Sequence, residues 1–233
     1  MKLTTAQRKM LSLGLIPVLA LVLGGGLVTV TKIAGRLDYD FAAAYAVPAD
    51  GVRITSDVPL DVIPSNDTKL HVSLTGSYTD NPPALTSTAA GGVLELVATC
   101  RPQVQCKVNL TVQVPPAAAV KLKVTKVSAN VIGMSGDLRI DADRGSVNAA
   151  RLTSPTVSVD ARFGSVDLQF DGPPRSVQAT SSDGSLQVQL PGTATYAIDA
   201  IAAHGSAQLS IPNDLNSGHR IYLRSSYGSI TVN

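Results

Sequence analysis

Arg144-Gly145-Ser146-Val147 is the first full copy of a phrase that recurs through the C-terminal half of this 233-residue chain. The later copies are Phe163-Gly164-Ser165-Val166, Asp183-Gly184-Ser185-Leu186, His204-Gly205-Ser206-Ala207 and Tyr227-Gly228-Ser229-Ile230. Their glycines are 19, 20, 21 and 23 residues apart. A fixed period near 20 residues is typical of proteins that stack one small structural unit on the next.

Each copy joins two short segments in which apolar and polar residues alternate. After Gly145 the apolar positions are Val147 and Ala149, and before it they are Leu138 and Ile140. This alternation predicts two half-buried strands in every unit, joined by a tight turn at the glycine. A looser turn that contains proline follows, because proline cannot donate to a strand ladder.

A unit of two strands cannot bury its apolar side alone, so stacking on the next unit must cover it. We therefore expect an all-β fold in which residues 125–233 form a β-solenoid, or β-helix, of about five rungs. An ordinary β-sandwich with coincidental Gly-Ser turns is the alternative. The corner glycines should adopt a positive φ, which glycine tolerates best. The candidate turn glycines are Gly136, Gly145, Gly164, Gly184, Gly205 and Gly228.

Residues 10–31 carry no charge and lie between Arg8-Lys9 and Lys32. As a helix they would span about 33 Å, slightly more than a bilayer core of about 30 Å. They predict a single transmembrane anchor; a cleaved secretory signal is the alternative, although no small-residue cleavage site follows directly. The basic flank predicts a cytoplasmic tail at residues 1–9 and an exterior body in the cell membrane. Residues 32–49 would be a juxtamembrane linker.

Residues 50–124 predict a membrane-proximal β region, an antiparallel meander or small sandwich that caps the first rung. It contains the two cysteines of the chain, Cys100 and Cys106, on either side of a short turn. A hairpin would bring them opposite each other, and an oxidising exterior would join them in a disulfide. A metal site needs more ligands, and no further cysteine or histidine is close in sequence, so we expect no metal.

The net charge of +2 comes from the N-terminal segment. Without Lys2, Arg8, Lys9 and Lys32, residues 33–233 keep 15 basic and 17 acidic side chains, a net charge of −2. This balance predicts no basic patch and no nucleic-acid partner.

No residue pattern predicts catalysis or a cofactor. His71, His204 and His219 are scattered, and nothing beyond their presence suggests a Ser-His-Asp arrangement. Asp141 and Asp160 align on neighbouring rungs, about 5 Å apart, and could bind a cation or act on a sugar. The nearby arginines favour another interpretation, a charge-paired surface ladder; they are Arg139, Arg144 and Arg162.

A short basic tail, one apolar anchor, a β-rich section with a cysteine pair and repeated Gly-Ser-Val-x-Leu units resemble the bacterial "putative adhesin" family of membrane-anchored β-strand-repeat proteins. The likeness covers about residues 50–233 and is greatest for actinobacterial members. It implies a non-enzymatic envelope protein whose exterior domain acts as a scaffold, adhesin-like module or partner-binding module. The resemblance implies other envelope proteins or glycans as partners, and the uncharged stretch at 10–31 predicts the membrane as another.

Two other functions remain open from the sequence. The chain could be an accessory subunit of a membrane complex, recruited through its anchor helix. It could also be a polysaccharide-processing β-helix enzyme, in which case a deep groove should be lined by Asp141 and Asp160.

Overall fold

The computed structural model describes residues 19–23, 26–33, 36–101 and 106–233. These residues form strands and turns, and the all-β prediction is confirmed. In chain order the strands are β1 (Leu19–Leu23), β2 (Gly26–Ile33), β3 (Arg36–Ala46), β4 (Val52–Ser56), β5 (Leu60–Pro64), β6 (Lys69–Tyr78), β7 (Ala84–Ala90), β8 (Val93–Thr99), β9 (Cys106–Val114), β10 (Val120–Val124), β11 (Ala129–Ile132), β12 (Leu138–Arg144), β13 (Val147–Leu152), β14 (Thr156–Phe163), β15 (Val166–Phe170), β16 (Ser176–Asp183), β17 (Leu186–Gln189), β18 (Ala197–His204), β19 (Ala207–Leu209), β20 (Arg220–Tyr227) and β21 (Ile230–Val232).

The strands form two large sheets. Sheet A has the order β1-β2-β3-β6-β9-β5-β11-β13-β15-β17-β21-β19, and sheet B has the order β18-β20-β16-β14-β12-β10-β4-β8-β7. Each repeat unit places its first strand in sheet B and its second in sheet A, and the corner glycine lies between them. Neighbouring units pair in parallel in both sheets, as β12 does with β14 and β13 with β15.

The core consists of alternate residues from both sheets, which form one continuous apolar cluster. In β12 and β13, for example, Leu138, Ile140, Val147 and Ala149 are all buried, whereas Arg139 and Asn148 between them are exposed. Parallel pairing in register places each buried residue beside its counterpart on the next strand, such as Ile140 beside Val159. The small, branched side chains of the repeat therefore fill a thin core between two sheets.

The corner glycines lie against the backbone of a neighbouring unit. Gly164 and Gly184 have φ values of +138° and +154°, as the proposed corner requires. A Cβ atom at Gly164 would collide with the carbonyl oxygen of Gly145, and one at Gly184 would collide with that of Gly164. The positive φ does not extend to Gly136 or Gly205, where close backbone contact alone excludes a side chain.

The predicted stacking of units in chain order is wrong at the C-terminus. β20 pairs with β16, and β18 pairs with the other side of β20; β21 and β19 follow the same order in sheet A. In both sheets, the unit at 220–232 therefore lies between the unit at 176–189 and the unit at 197–209, which is at the end of the stack. The reason is side-chain size: Leu223 and Ile230 are large and fully buried, whereas their counterparts Ala200 and Ala207 bury little apolar surface.

The outer unit has a partly protected edge. The side-chain amide of Asn213 accepts a hydrogen bond from the backbone N–H of Ile198 and donates one to its carbonyl oxygen, both at 2.9 Å. These bonds imitate a strand at the start of β18, which ends sheet B. Protection of this kind is common on terminal strands, because free backbone groups invite pairing with other chains.

The helix predicted at 10–31 is wrong over the part that the structure describes, because residues 19–23 and 26–31 belong to β1 and β2. The four successive β-branched residues from Val28 to Thr31 favour a strand, and β3 supplies an edge with which this strand pairs. Residues 10–18 lie outside the described residues. Within the described ranges we find no helix with the length and hydropathy needed to span a bilayer.

The linker predicted at 32–49 is also wrong, because β3 occupies most of it and pairs with β2 and β6. Tyr39, Phe41 and Ala43 alternate along β3 and are buried. The antiparallel meander predicted for 50–124 is correct for β6 and β7 but wrong for β4, which pairs in parallel with β8 and β10. Both sheets therefore continue across residue 125.

The predicted disulfide is present between Cys100 and Cys106, with 6.0 Å between the two Cα atoms. The predicted hairpin is wrong, because β8 lies in sheet B and β9 in sheet A. The disulfide thus closes a crossing between the sheets. The buried carboxylate of Asp57 accepts hydrogen bonds from the backbone N–H of Cys100 and from Nε of Arg101, both at 2.9 Å. These contacts hold the same crossing.

We predict that Gly164→Ala and Gly184→Ala each lower the free energy of unfolding by at least about 1–3 kcal/mol, since φ is unfavourable for alanine and the backbone of the next unit must move. Gly192→Ala is the matched control, because nothing lies within 4 Å of its added Cβ. Urea unfolding of the full chain measures the difference. Equal stability of the two corner variants and the control would contradict the account of the corners.

Candidate binding surface

The outward side of sheet B carries rows of side chains that run across the strands. Because these strands pair in parallel register, equivalent residues lie about 4.8 Å apart. Lys121 of β10, for instance, lies between Arg53 of β4 and Arg139 of β12. We call the part of this row from β8 to β18 the outer row. It consists of Glu95, Arg53, Lys121, Arg139, Ser158, Gln178, Tyr222 and Asp199.

One part of this face is strongly basic. Arg53, Lys121 and Arg139 are adjacent in the outer row, and Lys123 lies two residues along β10; we call these four residues the basic cluster. Arg53 Nη1 lies 4.0 Å from Glu95 Oε1, and Arg139 Nη2 donates to Asp141 Oδ1 at 3.3 Å. Lys121 and Lys123 form no ion pair with any described residue. The cluster therefore keeps uncompensated positive charge.

The acidic pair that the sequence suggests also lies on this face. Asp141 and Asp160 are direct register partners on β12 and β14, as expected from the alignment of the units. Asp141 accepts from Arg139, and Asp160 Oδ1 accepts from the Thr180 hydroxyl at 3.1 Å. Arg162 Nη1 lies 3.2 Å from Asp143 Oδ1. These contacts are those of a charge-paired ladder.

The basic cluster and the acidic residues line two adjoining depressions, which together we call the groove. Its first part is lined by Arg53, Thr55, Lys121, Leu122, Lys123, Arg139 and Asp141, and its second part by Lys123, Val124, Asp141, Ala142, Asp143, Asp160 and Arg162. Lys123 and Asp141 belong to both parts. Among the described residues, no group of three or more histidine, cysteine or acidic side chains is arranged to hold a metal ion.

The end of sheet B that is formed by β20 and β18 carries exposed aromatic side chains. The guanidinium of Arg224 lies over the ring of Tyr222, with its Cζ 3.7 Å from the ring centroid, and donates to the Asp199 carboxylate. This hydrogen bond raises the pKa of Arg224. At the neighbouring corner His204 stacks on Tyr227 with 4.7 Å between the ring centroids. Tyr222 and Tyr227 remain 41% and 58% exposed, so both present ring surface to solvent.

The three histidines lie in separate places and form no common site. His204 is at the corner described above, and His219 Nδ1 lies 2.7 Å from the carbonyl oxygen of Pro174. His71 Nε2 lies 3.0 Å from both carboxylate oxygens of Asp67, to which Ser65 also donates. A catalytic triad places histidine between serine and aspartate, whereas here the aspartate is in the middle.

The turn around Asp67 is nevertheless tightly bonded. The backbone N–H of Lys69 and the side chains of His71 and Ser65 all donate to the carboxylate, and these bonds lower the pKa of Asp67 to about 2. The effect fixes the turn before β6. It places no nucleophile beside the imidazole.

The net charge of residues 33–233 conceals the basic cluster, because an overall charge balance does not reveal a local group. The alternating segments Val52-Arg53-Ile54 and Val120-Lys121-Leu122-Lys123 do carry the signal, since each points its basic residues outward. What the sequence could not supply was the parallel pairing of β4 with β10, which joins residues far apart in the chain. The expectation of no basic patch is therefore wrong for this face.

Comparison of the sequence with protein-family models and with curated proteins gives no match. Among solved structures, the chain is similar to a "putative adhesin" from Bacteroides fragilis, with 15% identity, a TM-score of 0.52, and 83% of this chain and 97% of that chain covered. A "putative cell adhesion protein" from Clostridium sporogenes has 14% identity, a TM-score of 0.47, and coverage of 82% and 97%.

A "putative adhesin" from Parabacteroides merdae has 12% identity, a TM-score of 0.32, and coverage of 83% and 96%. At these identities the likeness concerns the fold alone, and of these three structures the one from B. fragilis has a TM-score above 0.5. Their organisms give no support to the actinobacterial type suggested by the sequence.

Proposed function

We propose that this chain is a non-enzymatic cell-envelope protein with an adhesin-like role, and that it binds its partner through the outward face of sheet B. The observation that carries this proposal is the outer row, in which eight side chains on eight neighbouring strands lie in register. A row of this length offers many weak polar contacts to an extended partner. An enclosed pocket would suit a small substrate better.

The part of sheet A formed by β9, β5, β11 and β13 offers less to a partner, because its outward amide and carboxylate groups are bonded to one another. Asn109 Nδ2 donates to Asp61 at 2.7 Å, Asn130 Nδ2 donates to the same carboxylate at 3.3 Å, and Asn148 Nδ2 donates to Asn130 Oδ1 at 3.3 Å. These amide groups have already found partners within the protein. The free lysines of sheet B have not.

We also infer that the parallel units form a short two-sheet β-solenoid. The regular register of β12, β14 and β16 and the backbone contacts between successive corner glycines support this interpretation. A solenoid displays equivalent side chains in straight rows, and extended binding surfaces are the common use of such stacks.

The resemblance to the "putative adhesin" family and the name of the B. fragilis structure support the same role. The partner would be another envelope protein or a glycan. The contacts of Asp141 with Arg139 and of Asp160 with Thr180 favour a surface ladder over a pair of catalytic carboxylates.

We further propose that the body of the protein lies outside the cell membrane, with residues 1–9 in the cytoplasm. The Cys100–Cys106 disulfide supports an oxidising exterior. The uncharged stretch at 10–31, preceded by Arg8 and Lys9, supports attachment to the membrane, and its insertion would require residues 19–23 and 26–31 to leave sheet A.

The binding face is tested with beads that carry the full chain and are mixed with cells of the bacterium that produces it. Ser158→Trp/Gln178→Trp places two bulky neutral side chains in adjacent register positions of sheet B and should reduce bead attachment several-fold. Gln187→Trp/Thr231→Trp makes the same change at adjacent register positions of sheet A and should leave attachment unchanged. Equal attachment of both variants would refute a role for the sheet B face.

The location is tested by adding protease to intact spheroplasts. We expect degradation of the body of the protein, because it should face the medium, and protection of a cytoplasmic marker protein serves as the control. Complete resistance of the chain, or recovery of a soluble form that begins near Leu37 or Ala44, would contradict an anchored exterior protein.

A further inference from the structure

We propose that the basic cluster is the site at which this protein binds an acidic glycan, a sugar chain that carries anionic groups along its length. This inference rests on the proposed adhesin-like function and assigns the chemistry of the partner. Its first support is charge. Four basic side chains lie on three neighbouring strands, in a region of the chain with a net charge of −2.

The arrangement of the cluster is unfavourable without a ligand. Arg53, Lys121 and Arg139 are direct register partners, and like charges in such positions repel each other. Glu95 lies near Arg53, and Asp141 bonds to Arg139 and is the register partner of Lys123. Lys121 therefore lies between two cations with no carboxylate of its own, and a bound anion would remove the repulsion.

The shape of the site suits a chain and not a single ion. The row runs across the strands, so the guanidinium groups of Arg53 and Arg139 start two strands, or about 10 Å, apart. Lys123 extends the positive surface along β10. An anion held between Lys121 and either arginine leaves the other cations free for the next anionic group of the same ligand.

The neighbouring acidic part of the groove favours a glycan over DNA. Asp141 and Asp160 lie beside the cluster and can accept hydrogen bonds from sugar hydroxyl groups, which the DNA backbone lacks. A glycan can place hydroxyl donors at these carboxylates while its anionic groups contact the cluster.

The test uses the full-length chain in a non-ionic detergent and biolayer interferometry with immobilised oligogalacturonate. Lys121→Gln/Lys123→Gln should weaken binding at least tenfold, which corresponds to about 1.4 kcal/mol. The matched control is Lys69→Gln/Lys107→Gln, which removes the same charge from exposed positions of sheet A and should change the affinity less than twofold. Binding by the wild-type chain should also weaken as salt is added.

Two further ligands complete the experiment. The methyl-esterified oligosaccharide has the same sugars without charge and should not bind. Single-stranded DNA of equal charge should bind more weakly than oligogalacturonate, because its backbone has no hydroxyl donor for the carboxylates of the groove. Absence of oligogalacturonate binding, equal loss in both lysine variants, equal binding of the methyl ester, or stronger binding of DNA would each overturn the inference.

Attachment of the lysine variants to cells separates this inference from the function on which it rests. If Lys121→Gln/Lys123→Gln loses oligogalacturonate binding and attaches poorly to cells, both proposals are supported. If it attaches to cells like the wild-type chain, the basic cluster is not the site of adhesion and the acidic-glycan inference fails, whereas the proposed use of the sheet B face stands.

Discussion

Parallel pairing in register between neighbouring units determines which side chains are buried in the core and which are exposed to solvent. The pairing brings each buried residue beside a similar one, so that the two sheets enclose a continuous apolar cluster. It also requires close backbone contact at the corners, where Gly145, Gly164 and Gly184 follow one another with no room for a Cβ. A side chain at any of these corners would force neighbouring units apart and so weaken both sheets.

The same register produces the candidate binding surface. Residues that are exposed on one strand lie beside the exposed residues of the next, so single basic positions on β4, β10 and β12 become a cluster. The acidic positions on β12 and β14 become an adjoining group by the same rule. Charged residues that are far apart in the sequence are thus brought together on neighbouring strands.

The sequence predicted the repeat, its two strands, its buried positions and the alignment of Asp141 with Asp160, because each depends on local alternation and on the spacing of the glycines. It failed where pairing is decided by distant partners. The 220–232 unit lies between the 176–189 and 197–209 units because its apolar residues are large enough to fill a position covered on both sides. The strand β3 forms because it pairs with the edge of β6, which the sequence does not reveal. The apolar composition near residue 30 is compatible with either a helix or a strand.

Cysteine crosslinking of Arg53→Cys with Lys121→Cys tests the register of sheet B most directly, because these residues are far apart in the chain and direct partners in the structure. Mild oxidation should form a second disulfide, which peptide mass mapping can identify, since neighbouring strands lie within the Cα range of about 4.4–6.8 Å for disulfides. Lys121→Cys with Gln178→Cys, three strands apart or about 14 Å, should remain reduced. A missing bond in the first pair, or an equal yield in both, would contradict the parallel register and the binding surface built on it.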